Sequence, residues 1–157
     1  MSSFRLLALT LAGALLAPAC GNDNVTLPDG AARAIIDVTI DPNPVPGSQS
    51  PLTGAVSVAY KVVITELNGL GGEVLFVSSQ IYDPETGAQV ALTYFDSSDL
   101  VVFVGSKEIE PLGTLTVAQT ASYILPDFRT AAQLTVNVQM KDDQGNLLNQ
   151  SVLVKIE

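Results

Sequence analysis

Few side chains in this sequence could do chemistry, and the first to consider is Cys20, the single cysteine among 157 residues. Without a second cysteine no internal disulfide can form. Without any histidine a zinc or redox centre lacks ligands. The usual general base and thiol nucleophile are therefore missing from the rest of the chain. Carboxylates remain, and a pair of them could act as acid and base in glycoside cleavage. The densest are Glu108 with Glu110 and Asp142 with Asp143. Glu108 and Glu110 share one strand face or a loop before Pro111, which reads as solvated surface. Asp142 and Asp143 open the stretch DDQGN, whose composition is that of a hairpin turn, where Asp bonds its own backbone. As an EF-hand loop DDQGN fails, since the later Glu ligand is missing and Leu147 onward reads as strand. A looser calcium site built from several loops would take Asp142 and Asp143 as its candidates. Tyr94, Phe95 and Phe103 could form a sugar-stacking platform, but packing into a core is the commoner use of such rings. These residues predict no enzyme, no catalytic residue and no cofactor.

Cys20 follows a leader. Arg5 and the amino terminus give a positive start, and Leu6 to Leu16 form an apolar run of 11 residues broken only by Thr10 and Gly13. Ala17-Pro18-Ala19 then supplies small residues at a cleavage site. That layout predicts a helical signal peptide over residues 1–19 and an exported protein. The run is well short of the roughly 20 apolar residues a membrane-spanning helix needs. Leu16-Ala17-Pro18-Ala19-Cys20 resembles the lipobox of bacterial lipoproteins, although Ala17 stands where that pattern usually has Leu, with Leu16 one step back. Ala17-Pro18-Ala19 also fits an ordinary secretory site, and both readings place the cut between Ala19 and Cys20. The lipoprotein resemblance implies lipidation of Cys20 with two or three acyl chains, palmitate among them, and hence firm membrane attachment. A single chain would hold only marginally. With Gly21 rather than Asp after the cysteine, it also implies the outer membrane where the organism has one.

Loss of residues 1–19 would leave 138 of 157 residues, one ordinary domain. It would also take Arg5 away, leaving 6 basic against 16 acidic side chains, a balance of −10. Nucleic acid is excluded as a partner on that charge, because phosphate binding needs Lys and Arg to displace counterions. Residues 20–32 read as a lipid-anchored flexible tether. Its twelve small and polar residues after the cysteine, GNDNVTLPDGAA, would span about 20 Å as coil. Asn24-Val25-Thr26 and Asn149-Gln150-Ser151 match a glycosylation pattern that a bacterial lipoprotein would not use.

From residue 33 to 157 the dominant period is two. Ile36, Val38 and Ile40 alternate with Asp37, Thr39 and Asp41; Val56 to Ile64 keep one parity; Leu134, Val136, Val138 and Met140 alternate with polar residues; Val152, Val154 and Ile156 close the chain. These are half-buried strands. Thr114–Ser122 and Val90–Phe95 read as further strands. Glu73–Asp83 and Leu100–Val104 are more continuously apolar, which predicts central strands. Turn sequences punctuate them at Asp41–Pro51, Asn68–Gly72, Asp83–Gly87 and Asp142–Asn146. Seven to eight short strands and no helix after the leader predict an all-β, antiparallel sandwich. The run from Val58 to Gly87, with Leu134 to Ile156, resembles the strand pairs of immunoglobulin-like or fibronectin-type-III-like modules. Such a body, acidic and tied to a membrane, predicts a non-catalytic cell-envelope lipoprotein that binds a protein partner through end loops whose acids face solvent, or through strand edges. A calcium- or carbohydrate-binding adhesin and a carboxylate-dependent hydrolase are the alternatives.

Overall fold

A computed structural model describes residues 32–157. In it nine strands form two antiparallel sheets packed face to face. β3 (Val56–Glu66) is the spine of the first sheet. On one side it pairs with β1 (Ile36–Asp41) and then with the three-residue β2 (Gly47–Gln49). On the other it pairs along ten unbroken positions with β7 (Thr114–Tyr123). The second sheet has β4 (Gly72–Tyr82) and β8 (Ala132–Asp142) at its centre, with β5 (Gln89–Asp96) outside β4 and β9 (Leu147–Ile156) outside β8. The two-residue β6 (Glu108–Ile109) continues the β5 edge at Gly72 and Glu73.

The alternation read from the sequence is the alternation of burial. Val56, Val58, Tyr60, Val62 and Ile64 of β3 face Leu134, Val136, Val138 and Met140 of β8 and their β4 neighbours Val74, Val77 and Ile81, and all are buried. In β4 the period fails for a definite reason. A bulge at Leu75 lets both Val74 and Val77 point inward, so the strand looks continuously apolar in sequence. Its central position is as expected. Among the two sheets' facing residues lies a polar cluster: Gln119 of β7 accepts from the hydroxyls of Tyr60 (2.9 Å) and Ser79. It ties three strands across the sandwich.

Between β1 and β2 the proline-rich segment leaves the first sheet, since Pro42, Pro44 and Pro46 have no donor for a ladder. Val45 crosses to bond β9 instead, donating to the Lys155 carbonyl (2.9 Å) and accepting from Glu157 N–H (3.0 Å). One seam of the sandwich is thereby stitched. At the other, β7 and β5 run side by side without pairing.

One expectation is overturned. Leu100–Val104 is not a central strand: Ser97–Phe103 is a helix, α1, connecting β5 to β6. Asp96 caps it by accepting from the N–H groups of Ser98 (2.8 Å) and Asp99 (2.9 Å), while the Asp99 carboxylate accepts from Asp96 N–H (3.2 Å). This reciprocal box satisfies helix donors that a strand would have spent on a neighbour. Only Leu100 of α1 is buried. The expected signal peptide, Cys20 and the expected tether as far as residue 31 lie outside the described residues. Among the described residues no helix is long and apolar enough to cross a membrane.

Candidate functional site

The acids divide into those that hold turns and those that face water. Among the described residues three carboxylates are buried, Glu66, Asp83 and Asp142, and each stands where a strand gives way to a turn. Asp142 ends β8. Its Oδ1 accepts from the N–H groups of Gln144 (3.0 Å) and Asn146 (2.7 Å), and its Oδ2 from the Asn146 amide (2.9 Å) and Ala34 N–H (3.2 Å). Burial alone would raise its pKa, but these donors outweigh it and hold the carboxyl below the usual range. The bonding to its own turn expected of Asp142 is what the structure has, while the expected facing of loop acids to solvent is corrected there: both oxygens are occupied by the fold. Asp143 is exposed. Among the described residues no cluster of three or more acids could hold a metal ion.

Asp83 follows β4. Arg129 grips it with two parallel bonds, Nη1 to Oδ1 at 2.9 Å and Nη2 to Oδ2 at 3.1 Å, and Glu85 N–H and the Thr86 hydroxyl add theirs at 3.1 and 2.9 Å. The Arg129 bonds above all bring its pKa down to about 2. Here too the buried acid departs from the expected solvent-facing loop, while Glu85 is exposed. Glu66 was not singled out by the sequence. At the end of β3 its carboxylate accepts from Asn68 (2.8 Å), Gly69 (2.7 Å) and Leu112 (3.0 Å) N–H groups. Burial pushes the group up, and those donors more than reverse it. The readable signal was an acid directly before the turn residues Asn68-Gly69.

Glu108 and Glu110 flank buried Ile109 and are both exposed. They share a face, as expected of a strand, and water is their surrounding. The nearby Glu73 is paired with Lys107 at 2.6 Å. The segment Asp41–Pro51 contains the seam and β2, so most of it is bound into the sandwich rather than free to meet a ligand.

The aromatic residues are where the structure departs furthest from the expected core packing. Tyr94 lies on the outer side of β5, 52% exposed, with its ring stacked on Phe76 at 5.7 Å and 26°. Phe103 is 71% exposed and leans on Phe95 at 5.7 Å. Of the three, only Phe95 packs against the core. Val101, Val102 and Leu92 are exposed as well. β5 and α1 thus each present apolar side chains to water, the kind of exposure that marks contact sites; Leu52, Leu112, Ile124, Phe128 and Leu153 are exposed elsewhere on the sandwich. Acids border α1 in sequence: Asp96 and Asp99 at its start, Glu108 after its end.

α1 lies towards the end of the sandwich where the described chain begins. Arg33, Ala34 and Ile35 are bonded there to Asn68, Asp142 and Leu67. β6, which follows α1, pairs at the same end with Gly72 and Glu73.

No protein-family model and no curated protein matches the sequence. Solved structures do resemble the fold. A structural-genomics target named SoR45 aligns over 77% of this chain and 84% of its own, with a TM-score of 0.53 and 12% identity. A Bordetella pertussis protein given the provisional name ApaA aligns over 78% of this chain and 92% of its own, with a TM-score of 0.53 and 13% identity. The CARDB domain of a Pyrococcus furiosus protein, solved in complex with di-metal ions, aligns over 79% of this chain and 89% of its own, with a TM-score of 0.38 and 11% identity. At such identities the likeness is one of fold alone: the chain is an all-β, antiparallel sandwich of two sheets.

Proposed function

We propose that this chain is an exported lipoprotein, anchored through Cys20, whose sandwich works by contact with a protein partner in the cell envelope and not by catalysis. The observation that carries the contact reading is the exposed surface of Leu92, Tyr94, Val101, Val102 and Phe103 on β5 and α1. Keeping Val101 and Val102 in water has no benefit to the fold, since Leu100 is the residue of α1 that is buried. Of the carboxylates a hydrolase would pair, Asp142 is occupied at its turn, and Glu108 and Glu110 stand exposed to water. Val102→Ser should leave stability unchanged within about 0.5 kcal/mol and abolish complementation of a deletion strain. Full complementation by that variant would refute the contact surface.

The address rests on the leader and on Leu16-Ala17-Pro18-Ala19-Cys20. Expressed in its host, the protein should partition into the detergent phase, and Cys20→Ser should move to the aqueous phase or stay unprocessed. Equal aqueous partitioning of both proteins would sink the anchor.

One observation favours a second reading, a carbohydrate ligand: the Tyr94 ring is supported from behind by Phe76 and open in front. Titration with envelope glycans while following tyrosine fluorescence separates the two, since only the carbohydrate reading predicts saturation that Tyr94→Ala abolishes.

A further inference from the structure

We propose that β7 is a self-pairing edge, through which two copies of this chain join their first sheets into one continuous sheet. The proposal does not depend on how the chain is anchored.

Among the described residues β7 pairs only with β3, so one of its edges is unpaired. Which backbone groups lie on that edge follows from register. Glu66 N–H donates to the Gly113 carbonyl, and Leu67 N–H donates to Ile35 on the opposite side. In an antiparallel ladder a residue's N–H and C=O point to one side, and the side alternates. With the β3–β7 register unbroken from Val56↔Tyr123 to Thr65↔Thr114, Leu115, Val117, Gln119, Ala121 and Tyr123 bond to β3. Thr114, Thr116, Ala118, Thr120 and Ser122 therefore direct their N–H and C=O groups to the free edge, and all five are exposed.

Edges of this length are ordinarily protected by a Lys, a Pro or a bulge. β7, TLTVAQTASY, has none of them. Every other strand longer than three residues carries at least one charged side chain. This singles out the occupant. In a chain of net charge −9 most faces repel a second copy, and β7 is the long strand on which two copies can meet without charge. The strand is also complementary to itself. Antiparallel pairing centred on Ala118 sets Ala118 against Ala118 of the second copy, Thr116 against Thr120 of the second copy, and Thr114 against Ser122 of the second copy. All are pairs whose backbone groups face each other. Small side chains meet at the two-fold axis, and hydroxyl residues, which favour such cross-strand positions, lie opposite one another on either side. An isologous contact of this kind closes at two copies.

Sedimentation equilibrium of the full-length protein in mild detergent, over a wide range of concentration, tests the proposal with two blocking variants. Ala118→Pro removes an N–H from the free edge without touching the β3 ladder. Thr116→Lys with Thr120→Lys sets like charges opposite each other and serves should the proline variant fail to fold. Wild type should show a concentration-dependent dimer, and the folded variants only monomer. A monomeric wild type, or a dimer undiminished in the lysine variant, would overturn the proposal. Register is tested by single cysteines, with the parent chain as control for Cys20. Ala118→Cys puts two Cα atoms about 5.5 Å apart, within reach of a disulfide, and should cross-link on mild oxidation. Thr116→Cys leaves its copies four residues out of step, about 13 Å at the rise of a strand, and should not. Equal cross-linking by both contradicts the register.

Discussion

Glu66, Asp83 and Asp142 show what carboxylates do in this protein: each receives the backbone of the turn that follows its strand. Glu66→Gln replaces an ionised acceptor with an amide that turns a donor towards donors. It should cost about 1–3 kcal/mol in chemical denaturation, whereas Glu110→Gln on the exposed face should stay within about 0.5 kcal/mol. The pH profile has the same origin. All three acids have folded pKa values below their unfolded ones, Asp83 at about 2. Their contribution is whole above the ordinary carboxylate range of about 4 and is lost as pH falls below it. On the alkaline side the sign reverses. Burial raises Tyr60, and raises Tyr123 to about 12. Those neutral hydroxyls support the fold below the ordinary tyrosine value of about 10, and that support is lost as pH climbs through it. Melting temperature against pH should show a plateau with both shoulders; a fall beginning near neutrality would contradict these assignments. Sequence placed the pair Asp142 and Asp143 in a turn where Asp bonds its own backbone, yet also counted both among acids facing solvent, because DDQGN records turn composition and not which of two adjacent acids bends back.

At the scale of elements, the long strands were legible because β1, β3, β8 and β9 have one wet face and one dry face, which the sequence records as a period of two. β2 and β6 were not, being three and two residues long and too short to show a period. α1 was misread for a physical reason. Leu100–Val104 is apolar at every position, and a run of that length fits either a strand or a helix. The signal that decides it lies just before, in the capping pair Asp96 and Asp99. Asp96→Ala should cost about 1 kcal/mol, seen as faster amide exchange in α1 with β3 and β8 unchanged; equal acceleration throughout would deny the box its local role. In β8, Val136→Ala or Val138→Ala should cost on the order of 1–3 kcal/mol. Gln139, which bonds Asn149 at 2.9 Å on the outer face, should tolerate Ala within about 0.5 kcal/mol. A larger loss at Gln139 than at either valine would mean the faces are reversed.

As a whole molecule, the sandwich has one stitched seam and one open flank. Val45 binds β9 to the first sheet, whereas β5, α1 and the free edge of β7 gather on the other side. Sandwich architecture was readable from composition and period; this asymmetry was not, since it follows from where the prolines send the chain and from which rings stay in water. Tyr94 and Phe103 were assigned to the core for a sound general reason, that aromatic rings bury large areas. Their exposure is what makes the open flank the place to look for a partner. The most direct measurement is site-specific photocrosslinking in living host cells, with a photoreactive residue placed in turn at Val102, Phe103 and Leu92, and at Thr39 and Thr65 on the outer face of the first sheet as controls. Discrete adducts to one envelope protein from the first group, and none from the controls, are the predicted result. Adducts of equal strength from the controls, or none from α1 and β5 in cells where the protein is functional, would contradict the account.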